Sequence, residues 1–145
     1  PMISPKKFTE LVLPGYKIIT SAVHERGTKI VLHSDGQITP PLDFIIECGF
    51  DGIQSLEPTA GVDLALVKKK VGDKLFLMGN IDVAHVLTYG TKEEVFDAGK
   101  YAIKTGGPKG GFIVSAANMH PAVRVQNLKW MVKATREFGK YPLKI

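Results

Sequence analysis

At 145 residues the chain is long enough for one domain with its own core, and 44% apolar with 23% charged residues is ordinary globular composition. The net charge of +5 does not point to nucleic acid: Lys68, Lys69 and Lys70 share one short predicted helix and no aromatic residues interleave with them. No apolar run approaches the roughly 20 residues of a membrane span, and the single cysteine, Cys48, excludes a disulfide framework within the chain and points to a cytoplasmic setting.

The chain opens with Ser4-Pro5, an N-cap followed by a proline tolerated in the first helical turn. A helix is expected from there through Val23, closed by Gly27 and kinked or broken at Pro14. Then a unit repeats. Thr28–His33 reads as a strand and Pro40–Cys48 as a short helix ended by Gly49. Asp51–Leu56 is the next strand, followed by a helix over Val62–Val71 that Gly72 ends. Lys74–Met78 is a strand, and Thr91–Lys104 a helix opened by the capping box Thr91/Glu94 and ended by Gly106. Phe112–Ser115 and the helix Val125–Phe138 complete the series. The strands are short apolar runs without alternation, as in a parallel sheet covered by helices. Four βα units fit either a small doubly wound sheet or half of a (β/α)8 barrel.

Both architectures place active sites at the C-terminal strand ends. There the first strand supplies His33 and Asp35, which converge if extended geometry holds, because residues at i and i+2 share a face. The second supplies Gln54 and Glu57, the third Asn80 and Asp82 from "GNID", and the fourth Asn118 and His120 from "SAANMH". Each also has a bland reading. Asp35-Gly36 is turn chemistry, Asp82 and Asn118 suit caps, and His120 sits before Pro121. A turn, however, needs no histidine beside its aspartate, which favours His33 and Asp35 as functional. The glycine-rich "GGPKGG" (106–111) resembles a phosphate loop, but it follows a helix and precedes a strand, so it is expected at the opposite rim. Cys48, at a helix end, is expected there too, as a packing residue.

The blocks "SPKKFTELVLP", "VLHSDGQITPPLDFIIECGFDGIQSLEPTAGVDL", "LMGNIDVAHVLTYGTKEEV" and "GGFIVSAANMHPAVRVQNL" together resemble the C-terminal half of the uroporphyrinogen decarboxylase superfamily. The resemblance spans essentially the whole chain. It implies that residues 1–145 are one domain, the last part of a (β/α)8 barrel, and it is nearest the methylcobalamin:coenzyme M methyltransferase-like members. It implies an enzyme for corrinoid-dependent methyl transfer, with a methyl-corrinoid as donor, a corrinoid protein as partner and a small-molecule substrate. His33, Asp35 and Asp82 become candidate catalytic residues; Gln54, Asn80, Asn118 and His120 become candidate substrate-binding residues. Zinc members of the family bind metal through His-x-Cys after one strand and Cys after the last. His33 matches the first ligand, while Asp35 and Ala117 stand where the cysteines would be. A metal site of His33, Asp35 and Glu57 is the version this sequence offers. Two alternatives stay open: porphyrinogen decarboxylation without cofactor, using Asp82 and His120, and a non-catalytic half-barrel subunit. The substrate-gripping groups of the family's N-terminal half are absent from the chain. A homo-oligomer, or a separate N-terminal half-barrel, is therefore the expected partner.

Overall fold

In the computed structural model, residues 4–39 and 41–144 are described. The long first helix is two: α1 (Pro5–Leu11) and α2 (Leu13–His24). Ser4 caps α1, its hydroxyl accepting from Lys7 N. The break falls at Val12 because Pro14 stands in the first turn of α2, where its missing N–H costs nothing. Phe8 packs on Phe44, and Tyr16 meets Phe50 edge-on with ring centroids 5.2 Å apart, so both helices are pinned to the barrel units that follow.

Four parallel strands follow: β1 (Val31–Ser34), β2 (Gly52–Ser55), β3 (Phe76–Ile81) and β4 (Phe112–Ala116), ordered β1-β2-β3-β4 in one sheet. The helices between them are α3 (Leu42–Glu47), α4 (Leu64–Val71), α5 (Val86–Tyr89) and α6 (Lys92–Gly106), and α7 (Val125–Phe138) closes the series. Consecutive neighbours in parallel register are the topology of a barrel segment, not of a doubly wound sheet. The Thr91/Glu94 capping box forms as expected. Pro40, the expected start of α3, lies outside the described residues. Thr28–Ile30 are not part of β1, and β3 continues past Met78 through Asn80 and Ile81. A 3-10 turn, Pro58–Ala60, and α5 were not anticipated.

The register decides which face each residue serves. Leu32, Ile53, Leu77 and Phe112 form one cross-strand row, and Ile53 and Leu77 are fully buried with Leu42, Leu64, Val67 and Leu87 in the core between sheet and helices. The alternate row is His33, Gln54, Met78 and Ile113. On that face Val31 and Ile113 remain exposed, at 38% and 48%. One side of the sheet is therefore core and the other is open.

The N-terminal ends of the first two strands are joined through Asp51. Its carboxylate accepts from Lys29 Nζ (2.7 Å), from Ile30 N (2.9 Å) and from the ring of His24 (2.8 Å). Burial pushes this carboxyl up, but the bonds from Lys29, His24 and Ile30 outweigh it and hold Asp51 well below the usual carboxylate range. A carboxylate depressed on folding stabilises the protein above its unfolded value of about 3.9 and loses that contribution as pH falls further. Asp51→Asn is expected to cost roughly 1 kcal/mol, the solvent-exposed Lys29 contributing little. It should also flatten the acid limb below about pH 4 in denaturant titrations followed by circular dichroism. An unchanged acid limb would show that the cluster carries no stability.

Cys48 caps α3, is 1% exposed and takes Thr20 Oγ1 on its carbonyl at 2.7 Å. Burial, then the neighbouring Glu47, pushes its thiol up, as befits a packing residue. The "GGPKGG" segment joins α6 to β4 at the rim away from the strand C-termini, and Lys68 Nζ holds its Gly110 carbonyl at 2.6 Å.

Candidate active site at the C-terminal rim

β1 and β2 pair so that His33 lies directly opposite Gln54. Residues opposite one another on a sheet are close enough for their side chains to bond, and Gln54 Oε1 is hydrogen-bonded to His33 Nδ1. Gln54 Nε2 reaches the other way, across β3, to the carbonyls of Ala116 (3.2 Å) and Ala117 (3.1 Å) at the end of β4. Asp35, one residue past β1, brings Oδ1 to 3.4 Å from His33 Nε2. The same oxygen accepts from Ser55 Oγ at 3.2 Å, and Oδ2 accepts from Asn118 Nδ2 at 3.0 Å. Asn118 Oδ1 in turn accepts the N–H of Met119 at 2.7 Å. His33 and Asp35 are about half exposed, so the pair is open to a ligand, and of its supports Ser55 is buried while Asn118 is exposed.

Backbone shape places these supports. Ser55 and Leu56 adopt φ of 98° and 54°, unusual for residues with a side chain. The turn they make after β2 lets Ser55 Oγ reach Asp35. Buried Asn80 holds the turn, donating from Nδ2 to the Leu56 carbonyl at 2.7 Å. Such outliers are tolerated where the surroundings over-determine them and cluster at functional sites.

The structure therefore gathers His33, Asp35, Gln54 and Asn118 into one hydrogen-bonded cluster. The other candidates go elsewhere. Asn80 is a clamp on the β2 turn. Glu57 is bound to its own 3-10 turn, Oε1 accepting from Thr59 Oγ1 (2.7 Å) and Thr59 N (3.3 Å). Asp82 caps the turn after β3 through Ala84 N and His85 N, and Oδ2 bonds the His85 ring at 2.9 Å. His120 Nε2 is 3.3 Å from Thr88 Oγ1. Asn127 fastens that part of the rim from α7, donating to the carbonyls of Val86 and Gly90.

Glu57 does not join His33 and Asp35 in a metal site. Among the described residues no group of three or more His, Cys, Asp or Glu side chains is placed to hold a metal ion. Asp35 is engaged by Ser55 and Asn118, and the one cysteine is buried in α3's cap. The described residues do not fit a zinc centre of their own. Sequence reading missed Ser55, His85 and Thr88. Only His85, three residues after Asp82, carried a visible signal, the i,i+3 spacing of an acid–base pair.

Comparison with known proteins agrees with this fold. The family profile "Uroporphyrinogen decarboxylase (URO-D)" matches residues 1–138. The chain is similar to a protein named methylcobamide:CoM methyltransferase MtaA from Methanosarcina barkeri, with 29% identity over 139 residues, 94% of this chain and 38% of that one. Its counterpart in M. barkeri strain Fusaro / DSM 804 is 28% identical over the same shares. Among solved structures, a methyltransferase from Methanosarcina mazei superposes with a TM-score of 0.80 at 25% identity, covering 95% of this chain and 39% of that one. The chain thus spans under two fifths of the length of these relatives.

Proposed function

The chain belongs to the uroporphyrinogen decarboxylase family, and from that premise we propose that it is the C-terminal half-barrel of a corrinoid-dependent methyltransferase. The observation that carries the reading is the His33–Asp35 pair, held by Gln54, Ser55 and Asn118 at the rim where barrel enzymes do chemistry. Its similarity to relatives with methyltransferase names supports methyl transfer as the reaction class. A methyl-corrinoid, carried by a partner protein, supplies the methyl group. His33 and Asp35 act on the small-molecule acceptor: the imidazole takes the proton that the acceptor loses, and the carboxylate stabilises the charge so formed. Asn118, which bonds Asp35, orients the acceptor beside the pair. The open face of the sheet is completed by a further half-barrel.

Decarboxylation of a porphyrinogen by Asp82 and His120 has less support. Both Asp82 oxygens are committed to the local turn and to His85, and His120 bonds Thr88 on a different element. The test is methyl transfer from methylcobamide to a thiol acceptor, assayed with the chain joined to a complementary N-terminal half. His33→Ala is expected to lower the rate about 100-fold or more, the usual share of a general base. Porphyrinogen turnover at a comparable rate, or a His33→Ala variant as fast as the parent, would sink the reading. On the isolated chain, elemental analysis is expected to find no stoichiometric zinc, with His33→Ala unchanged. One equivalent of zinc lost in His33→Ala would overturn the statement that these residues make no metal centre.

A further inference from the structure

We infer that Gln54 is a positioning residue that fixes the His33 tautomer, holding the proton on Nδ1 and leaving Nε2 as the reactive nitrogen. A side-chain amide has one accepting end and one donating end. Carbonyl oxygens can only accept, so the two at Ala116 and Ala117 claim the Nε2 end of Gln54. This orients the amide without reference to His33. Its Oε1 is then the atom facing His33 Nδ1, and an acceptor there requires a proton on Nδ1. In the neutral ring the lone pair is on Nε2.

That nitrogen stands 3.4 Å from Asp35 Oδ1 with no hydrogen bond between them, so the bonded Gln54 acceptor and not the carboxylate sets the tautomer of the neutral ring. The carboxylate is itself set in place by Ser55 and by Asn118, whose amide is oriented in the same way, its Oδ1 being taken by the Met119 N–H. A proton taken up by Nε2 therefore arrives beside a fixed negative charge. Two amides, one on each side, thus assign directions to the whole chain of bonds: the β4 carbonyls orient Gln54, Gln54 orients His33, and Asn118 orients Asp35. Ala117, which lacks a functional side chain, takes part through its carbonyl. The role of Nε2 as the base rests on the methyl-transfer reading; the tautomer does not.

The test is long-range 1H–15N correlation NMR on the full 145-residue chain at alkaline pH, where imidazoles are neutral. His33→Asn assigns the His33 signals among the four histidines. The expected wild-type pattern is a protonated Nδ1 and an unprotonated Nε2. Gln54→Met, of similar volume without the acceptor, is expected to lose the Nδ1–H signal in favour of Nε2–H. Gln54→Glu, which keeps an acceptor opposite Nδ1, is expected to retain it. An Nε2–H tautomer in the wild type overturns the inference without any variant having to fold, and so does a Gln54→Met spectrum unchanged from wild type. The outcome is separate from catalysis: an Nδ1–H tautomer together with a His33→Ala enzyme of full activity would leave this inference standing and remove the function proposed above.

Discussion

Gly79→Ala is expected to be the most damaging single-methyl change in the chain, costing about 4 kcal/mol. Two effects add. Gly79 has φ of 155°, a conformation L side chains rarely adopt, and a Cβ placed there would run into the Ser55 carbonyl oxygen. Backbone strain of this kind costs about 1–3 kcal/mol, and forcing an extra carbon into a packed site about 1–3 kcal/mol more. The neighbour that must yield is backbone, and both sides of it are constrained. Ser55 pairs with Gly79 in the sheet, and the Leu56 carbonyl next to it is held by Asn80. Against a typical stability of about 5–15 kcal/mol, such a loss should lower the melting temperature by roughly 10–15 °C, read by circular dichroism. Because Ser55 Oγ also holds Asp35, any protein that folds should show a disturbed His33–Asp35 pair. A melting temperature within about 3 °C of the parent would mean that the close approach is relieved at little cost, contrary to the packing argued here.

The same corner shows what could be read from the sequence and what could not. The βα order, the break at Pro14 and the Thr91/Glu94 box are local signals of proline geometry, apolar runs and capping, and each appears where expected. The meeting of His33 and Asp35 was also legible, from strand periodicity. Yet β1 ends at Ser34, and Asp35 is held in place by Ser55 and Asn118, which are 20 and 83 residues away in sequence. Such bonds depend on strand register and on loop shape, which no local pattern encodes. Glu57 illustrates the cost. An extended chain after β2 would have delivered it to the rim, but the positive φ values at Ser55 and Leu56 turn the backbone. The carboxylate then caps the short turn at Thr59. Asn80 was read as a substrate group for a similar reason: β3 runs three residues further than its apolar run suggested, and the side chain became a buried clamp.

The isolated chain is expected to run as a dimer or larger in light scattering at micromolar concentration. Among the described strands β1 and β4 each have one neighbour, so each presents an unpaired edge. Neither strand contains a proline that would block pairing. The open face adds apolar surface: Val31 and Ile113 are exposed there, with Met78 half-buried in the row between Gln54 and Ile113. In the Methanosarcina mazei methyltransferase the matched region is 39% of the chain, so that fold has further chain with which to complete a barrel. In isolation, two copies of the 145-residue chain related by a two-fold axis can pair β1 with β4 twice and close eight strands, in the symmetry commonest for homo-oligomers. The face buried in that closure includes Ile113. A charge placed there would have to be desolvated without a partner, which is costly. Ile113→Lys is therefore expected to raise the monomer's share at least about 10-fold, equivalent to roughly 1.4 kcal/mol of association free energy. Lysine on the helix side, at exposed Val132 for instance, should leave assembly unchanged. A well-folded wild-type monomer would require the sheet edges to be covered in some other way, and the half-barrel argument for self-association would fall with it.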